Sequence, residues 1–311
     1  MDDFLVLMQR MPSLRVMKID DRFQLAGNSV DVYQAMSRLC PELVSLAIEN
    51  SLEILNILGK KTDDLSVRHC GQQLRRLKLV GIYNLDPAVL KEAFELCPKL
   101  NTLAIDDCYM LGRVPLPPKK YSASKDTGDG LSELLVSHCP RIDDRLFDSL
   151  LDSAAASTLK VLSIDFCRGI TGNGLAKIGL VLGHGKLERF SLRNCLKDVN
   201  FNEFFNRGNN NLRHLDLSFN STLTDQTIVT ALQFLPALEH ISLYCCQGVT
   251  NLLPNVWFRE DHPFGPQFGD GQPINRRQKH TQLRLDVFET RMSEQPKRQN
   301  FAWTFNFEDE A

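Results

Sequence analysis

Residues 159–167, Leu-Lys-Val-Leu-Ser-Ile-Asp-Phe-Cys, decide the fold of this chain. The stretch has the form LxxLxIxxC, in which Leu162 and Ile164 alternate with polar residues. Successive side chains of a β-strand point to opposite faces, so this alternation predicts a short strand with one buried face. We number the residues of this unit as positions 1 to 9, from Leu159 to Cys167.

The same unit recurs along most of the chain. Position 1 occurs nine times at intervals of 25 to 31 residues, at Leu14, Leu43, Leu74, Leu100, Leu131, Leu159, Leu187, Leu212 and Leu238. A sustained period of this length is typical of repeat proteins, in which each unit buries its apolar face against its neighbours. We therefore predict an α/β solenoid shaped like a horseshoe, with a concave parallel sheet and outer helices, formed by about nine units in residues 14–251.

Helix signals follow the strands in most units. Thr171, Thr224 and Asp86 are residue types that cap helix N-termini, and Asp86 is followed by Pro87, which suits the first helical position. Residues 88–96 then show helical spacing and end at Cys97-Pro98, where the proline prevents continuation of the helix. Each unit is thus predicted to be one strand and one helix.

Position 9 is predicted to be a structural corner of each repeat. A small buried thiol fits a tight inward turn, and the amide of Asn220 is able to satisfy backbone groups there. The predicted corner residues are Cys108, Cys139, Cys167, Cys195, Asn220 and Cys246. The chain has nine cysteines, which is an odd number, and contains no CxxC pair. We therefore predict neither a disulfide framework nor a metal site.

The complete unit, LxxLxLxxC with an apolar position 12, then a helix and CPxL, resembles the cysteine-containing leucine-rich repeat over about residues 14–251. The resemblance implies a protein interaction module without enzymatic activity. Many such proteins are substrate-recognition subunits of the F-box/LRR type in SCF ubiquitin ligases, which implies ubiquitin-dependent protein degradation with Skp1 and cullin as partners. The sequence departs from that family because no F-box pattern precedes Leu14. The alternative is an LRR scaffold or signalling protein with no ligase link.

Three segments lie outside the regular pattern. Residues 1–13 resemble a partial N-terminal repeat helix, so we expect the chain to begin within a repeat of a longer protein. Residues 112–130 are rich in Pro, Gly, Ser and Lys and predict an insertion, either a plain loop or a docking and phosphorylation segment. Residues 252–311 form a non-repeat tail that either caps the last repeat or carries a linear motif for a partner.

Composition excludes several classes of function. The 311 residues include 36 basic and 38 acidic side chains, and the net charge of −2 favours neither nucleic acid nor an anionic membrane as a partner. The sequence contains no phosphate-binding loop, dinucleotide fingerprint, nucleophile elbow or zinc-protease motif. We predict no catalytic, cofactor or metal residues. The acidic start, Met1-Asp2-Asp3, is unlike a signal peptide, so we expect an intracellular protein of the cytoplasm, the nucleus or both.

The predicted partner-binding surface is the concave face, which receives the side chains that alternate with the buried ones. Aromatic and Arg side chains at such positions are typical binding hot spots. The candidate residues are Asp106, His138, Asp165, Phe166, Arg193, Asp216, Phe219 and Tyr244. An alternative is that loops or the C-terminal tail cover these aromatic residues.

Overall fold

The computed structural model describes residues 6, 8–20, 38–52, 54–58, 70–117, 130–183, 186–195, 211–249 and 284–286. Within these ranges, ten strands form one sheet whose spatial order is their order along the chain, and each strand pairs with its neighbours in parallel. The strands are β1 (Val16–Asp20), β2 (Ser45–Glu49), β3 (Arg76–Val80), β4 (Thr102–Asp106), β5 (Glu133–Ser137), β6 (Val161–Asp165), β7 (Arg189–Ser191), β8 (His214–Asp216), β9 (His240–Ser242) and β10 (Arg284–Asp286).

Strands β1 to β9 each begin two residues after one of the nine position 1 leucines, as β6 begins at Val161 after Leu159. The register pairs equal positions of consecutive units, so that Leu162 lies opposite Phe190 and Phe190 lies opposite Leu215. This one-to-one stacking of repeats confirms the predicted fold class. The chain is an α/β leucine-rich repeat solenoid.

The core lies between the sheet and a layer of helices. From β2 to β9, every residue at positions 4 and 6 is at most 2% exposed, and all of these side chains belong to one continuous apolar cluster. Burying one such side chain contributes about 1.5–3 kcal/mol, so this cluster holds even the three-residue strands β7 to β9 in place. The helices are α1 (Ile54–Leu58), α2 (Pro87–Leu96), α3 (Arg145–Asp152), α4 (Ala155–Thr158), α5 (Gly172–Gly183) and α6 (Asp225–Phe234), and a 3-10 helix spans Cys70–Gln73.

Two of the predicted helix caps form within their own unit. The Asp86 carboxylate accepts a hydrogen bond from the Ala88 amide at 2.7 Å, and Thr224 forms a capping box at the start of α6. Thr171 directly precedes α5, but its amide and hydroxyl both donate to the carboxylate of Asp144 in the preceding unit. That contact ties two repeats together, which a pattern within a single unit does not reveal.

At the C-terminal end of the sheet, β10 pairs with β9 and places Leu285 opposite Ile241. The rest of the predicted tail, residues 252–283 and 287–311, lies outside the described residues, as do residues 118–129 of the predicted insertion with Tyr121, Ser122 and Ser124. Of the predicted partial helix at residues 1–13, residues 1–5 and 7 also lie outside the described residues. In the part of the chain that is described, no helix is both long and apolar enough to cross a bilayer.

Candidate partner-binding site

Position 8 adopts the left-handed backbone conformation in every unit from β2 to β9. The φ angles there lie between 48° and 65°. The residues at this position are Asn50, Gly81, Asp107, His138, Phe166, Asn194, Phe219 and Cys245. Glycine and asparagine tolerate this conformation, whereas a bulky side chain such as phenylalanine rarely adopts it.

The left-handed residue recurs in the units because its backbone amide continues the hydrogen-bond ladder between neighbouring units. The Phe166 amide donates to the carbonyl of Arg193 at 2.7 Å, and the Phe219 amide donates to that of Tyr244 at 2.7 Å. The Asn194 amide donates to the Ser218 carbonyl in the same way at 3.1 Å. The chain then turns sharply towards the core, and this turn is what requires the positive φ.

Position 9 forms the buried corner that follows. The Cys195 thiol donates to the carbonyl of Ile164 at 2.8 Å, and the Cys246 thiol donates to that of Leu217 at 3.3 Å. The amide of Asn220 donates to the carbonyls of Leu192 at 2.6 Å and Leu217 at 2.8 Å, and its oxygen accepts from the Cys195 amide at 3.2 Å. These side chains therefore satisfy backbone groups that water cannot reach.

The remaining corner thiols make the same kind of bond. Cys108, Cys139 and Cys167 each donate to the position 7 carbonyl of their own unit at 3.1–3.4 Å. Burial raises the pKa of Cys167 to about 12 and that of Cys246 to about 11, so these thiols stay protonated as donors at neutral pH. All nine cysteines lie within the described residues and none forms a disulfide, and no group of three or more potential metal ligands is found among those residues.

Five predicted partner-binding residues form a continuous row of side chains across β5 to β9, which we call the aromatic ridge: His138, Phe166, Arg193, Phe219 and Tyr244. The His138 ring stacks on Phe166 with centroids 4.7 Å apart and planes inclined by 12°. Phe166 and Phe219 are 6.0 Å apart, and Phe219 meets Tyr244 edge-on at 5.2 Å. The Arg193 guanidinium carbon lies 5.8 Å from the Phe166 ring centre and 5.4 Å from that of Phe219.

The members of the ridge differ in how far they are exposed. The His138 side chain is 52% exposed, and the three aromatic residues are half-buried. Arg193 is only 9% exposed, because its guanidinium is held between two rings and forms an ion pair with Asp216 at 3.7 Å. Arg193 thus fills the gap that Asn194 leaves in the row of position 8 rings.

A buried polar network supports Arg193. The Asp165 carboxylate accepts hydrogen bonds from the hydroxyls of Ser191 and Ser163 at 2.7 and 2.9 Å and from the Arg193 amide at 3.0 Å. Burial raises the pKa of Asp165, although those hydrogen bonds and the Arg193 charge oppose the rise. Asp165 is 6% exposed. Its carboxylate therefore positions the backbone and side chains of the ridge and offers little surface to a partner.

Asp216 supports the ridge in the same way from the next unit. Its carboxylate accepts from the amide and hydroxyl of Ser218 at 2.9 and 2.6 Å, and that hydroxyl in turn accepts from the Tyr244 amide at 3.1 Å. Asp216 is 9% exposed. Because it also faces Arg193, one carboxylate orients both the cation and the backbone of the last aromatic residue.

Asp106 lies at the other end of the ridge. Its carboxylate contacts the His138 imidazole at 3.0 Å and accepts from the Ser137 hydroxyl at 2.7 Å. Burial tends to raise the pKa of Asp106, but the bonds from His138 and Ser137 outweigh it and lower that pKa. The same contact raises the pKa of His138 against the opposing effect of burial. This pair fixes the exposed ring that ends the ridge.

The structure thus brings all eight predicted partner-binding residues into one row, five in the ridge and three carboxylates that hold it. Sequence reasoning missed the left-handed conformation of position 8. The signal was present in Gly81, Asn50 and Asn194, which share that position and are the residue types that favour positive φ.

Comparisons with known proteins name no family for the chain. No protein-family model matches it, and no curated protein matches it either. Among the solved structures that match is the crystal structure of the Rad7 and Elc1 complex from yeast. It is 15% identical, covers 80% of this chain and 85% of that chain, and has a TM-score of 0.33. The assignment to the leucine-rich repeat fold therefore follows from the repeats and the parallel sheet described above.

Proposed function

We propose that this chain is a non-enzymatic protein–protein interaction module that binds its partner on the aromatic ridge. The observation that carries the proposal is that phenylalanine occupies the left-handed position twice, at Phe166 with φ 56° and Phe219 with φ 64°. A side chain in that conformation costs roughly 1–2 kcal/mol relative to glycine. Gly81 adopts the same conformation at the same position of another unit, so the repeat backbone does not require an aromatic side chain there. Strained residues of this kind cluster at functional sites.

The chemistry of the ridge suits recognition of a protein. Aromatic and Arg side chains dominate binding energy at protein interfaces, and aromatic rings bury large surfaces with few rotatable bonds. Here the rings already contact one another, and Arg193 is already fixed by Asp216, so little ordering remains to be done when a partner binds. The ridge is therefore suited to an apolar or aromatic side chain that a partner packs against the exposed faces of its rings.

The finer proposal is substrate or partner recognition in SCF-type ubiquitin-dependent protein degradation, in the cytoplasm or nucleus. It is supported by the resemblance of the repeats to those of F-box/LRR proteins, which is an analogy of fold. Skp1 and cullin would then be recovered with the chain. The second candidate is a scaffold or signalling protein of the same fold, with a stable partner and no ligase link.

The experiment is partner recovery from cells by affinity purification and mass spectrometry, with and without proteasome inhibition. The wild type is compared with the double variant Phe166→Asn and Phe219→Asn. Asparagine tolerates positive φ, so we expect this variant to fold while it loses the partner, because relief of the backbone strain offsets part of the packing lost with the rings. The matched control is Asp107→Asn, at the same repeat position but outside the ridge, and it should retain the partner.

The outcomes separate the proposals. Full recovery of the partner by the double variant would exclude the ridge as the binding surface. Recovery of Skp1 and cullin with the wild type favours the ligase function, especially when proteasome inhibition increases the amount of bound partner. A stable partner recovered without Skp1 and cullin favours the scaffold.

A further inference from the structure

A basic pocket lies at the opposite ends of the strands that carry the ridge. It has a volume of about 510 Å³, within the range of ligand-binding clefts, and it is lined by residues at or just before the starts of β6 to β9. Its charged lining comprises Lys160, Lys186, Arg189 and Arg213 together with Glu188 and Glu239. None of these residues was singled out by the sequence pattern, because they come from four units and occupy its variable positions.

Backbone hydrogen bonds fix the floor of this basic pocket. The Lys160 carbonyl accepts from the amides of Glu188 and Arg189 at 2.8 and 3.0 Å. The Glu188 carbonyl accepts from the next unit in the same way, at 2.8 and 3.0 Å, and the Arg213 carbonyl does so at 2.8 and 2.9 Å. Neighbouring parallel strands are about 4.8 Å apart, so these side chains form a row with regular spacing. The repeat backbone therefore fixes where each of these side chains starts, before any ligand arrives.

The basic pocket has the opposite charge to the chain as a whole. Four cationic residues and two acidic residues leave an excess of two positive charges, whereas the net charge of the chain is −2. Glu239 is paired with Arg213 at 2.9 Å, so Glu188 is the acidic residue that remains beside Lys160, Lys186 and Arg189. Charges of one sign in a cleft concentrate counter-charged groups there.

The basic pocket is continuous with the surface that carries the ridge. Arg189 and His214 line it and also line a smaller cavity of about 20 Å³ beside Ser163 and Ser191. Those two serines donate to Asp165 beneath the ridge. A single extended segment of a partner could therefore reach from the ridge to the pocket across the small side chains between them.

His214 supplies a further polar group at this junction. Its Nδ1 atom is buried and has no hydrogen-bond partner among the described residues, and its ring lies 5.9 Å from that of His240. Burial lowers the pKa of His214, and the neighbouring charges of Arg189 and His240 lower it further. An anionic group placed here would meet the cations beside a polar imidazole ring.

We propose that the basic pocket binds carboxylates of an acidic peptide segment, and that this segment belongs to the same partner that packs on the aromatic ridge. The proposal rests on the proposed function and adds the chemistry of the partner. Glu188 and Glu239 interrupt the cations, which suits separate carboxylates better than a continuous polyphosphate. The rings of the ridge lie at the other ends of the strands, so bases that lie between the cations could not stack on them as in single-strand nucleic-acid sites.

The test measures binding of a fluorescein-labelled hexaglutamate peptide to the full chain by fluorescence anisotropy, with hexalysine as the negative probe. The pocket variant is Lys160→Glu with Arg189→Glu, two exposed positions. The matched control is Arg75→Glu with Arg76→Glu, which makes the same charge change at positions 2 and 3 of the β3 unit. We expect the pocket variant to bind roughly tenfold more weakly or worse, the control to bind as wild type, and added salt to weaken the wild type.

Equal binding by wild type and pocket variant would overturn the proposal. So would tighter binding of a single-stranded oligothymidine than of hexaglutamate, lost in the same variant, because that would make the pocket a nucleic-acid site. The ridge variant Phe166→Asn with Phe219→Asn should bind hexaglutamate normally. Failure of the pocket is thus distinguishable from failure of the ridge, which is read by partner recovery.

Discussion

Two regions of the sheet, β1 to β4 and β5 to β9, share one backbone but end their strands with different side chains. In the first region the described residues at position 8 are Asn50, Gly81 and Asp107, with φ between 56° and 65°. In the second region the same position carries His138, Phe166, Asn194, Phe219 and Cys245, with φ between 48° and 64°. The repeat thus imposes the left-handed turn everywhere, and phenylalanine, the residue type least suited to it here, fills it only in the second region. The difference separates what the fold requires from what recognition adds.

The same contrast holds for ion pairs between neighbouring strands. In the first region Lys18 pairs with Glu49 at 2.9 Å, and the Lys18 side chain is 62% exposed. In the second region Arg193 pairs with Asp216 at 3.7 Å, with both side chains only 11–12% exposed. Each pair joins position 5 of one unit to position 7 of a neighbouring unit. The first is a solvated surface contact, whereas the second is part of the support of the ridge.

The largest effect is expected from a substitution at position 9, the buried corner that both regions share. Asn220→Ala removes bonds to the Leu192 carbonyl and the Cys195 amide, and each buried group left unsatisfied costs about 1–3 kcal/mol. We therefore expect a loss of about 3 kcal/mol or more in the free energy of unfolding, measured with urea.

The control for that corner is Asn220→Cys. At the neighbouring corner the Cys195 thiol donates to a carbonyl and its sulfur accepts from the Cys167 amide at 3.4 Å, so a thiol already performs both roles of the asparagine. Asn220→Cys should lose only about 1 kcal/mol. Equal losses in both variants would show that the side chain serves by its volume and not by its hydrogen bonds.

The next largest effect compares the two ion pairs. Arg193→Met keeps apolar volume between the rings but leaves Asp216 buried without its cation, so we expect a loss of roughly 2–3 kcal/mol. Lys18→Met in the first region removes an exposed charge and should change stability by less than about 1 kcal/mol. Both losses in stability are measured from the shift in the midpoint of urea unfolding. Similar losses at both sites would contradict the view that the ridge has a buried electrostatic support.

The sequence predicted the strands well because the buried residues recur at the same positions of each unit. Apolar residues at positions 4 and 6 gave the start of each strand from β1 to β9, since a one-residue slip would expose the core. The caps at Asp86 and Thr224 were also predictable, because each is a contact between residues two or three apart. These features depend on neighbours within one unit.

What the sequence could not predict are contacts between units. Asp165 and Arg193 stand at alternating positions that a single strand leaves open to solvent, yet they are 6% and 9% exposed because neighbouring rings and carboxylates enclose them. The hydroxyl of Thr171 bonds to Asp144 of the preceding unit for the same reason. The basic pocket likewise exists only once four units are stacked.

A smaller effect calibrates the cost of a side chain at position 8. Gly81→Ala places a Cβ at φ 65° and 2.6 Å from the Oδ1 atom of Asn50. We expect a loss of about 1–2 kcal/mol in the free energy of unfolding. Repeating the substitution in an Asn50→Gly background removes the close contact but keeps the φ angle. A loss that persists there measures the strain that Phe166 and Phe219 carry, whereas a loss that disappears would assign the cost to the contact alone.

The smallest effect concerns pH at the exposed end of the ridge. The pKa of His138 is raised by its contact with Asp106, so its contribution to stability is present below its ordinary value of about 6.5 and is lost as pH rises through the folded-state value. The pKa of Asp106 is lowered, so its contribution is present above its ordinary value of about 3.9 and is lost as pH falls through the folded-state value. The pair should therefore stabilise the fold most between about pH 4 and 6.5.

The measurement is the difference in Tm between wild type and His138→Asn across pH 3 to 9. Asparagine keeps the left-handed turn at this position but does not titrate, so the difference should peak in the window where both charges are present. Because the His138 side chain is 52% exposed, the peak should correspond to less than about 1 kcal/mol. When the same comparison is made in an Asp106→Asn background, the difference in Tm should no longer vary with pH. If the difference in Tm between wild type and His138→Asn did not vary with pH, then stacking on Phe166, and not the charge of Asp106, would hold the imidazole at the end of the ridge.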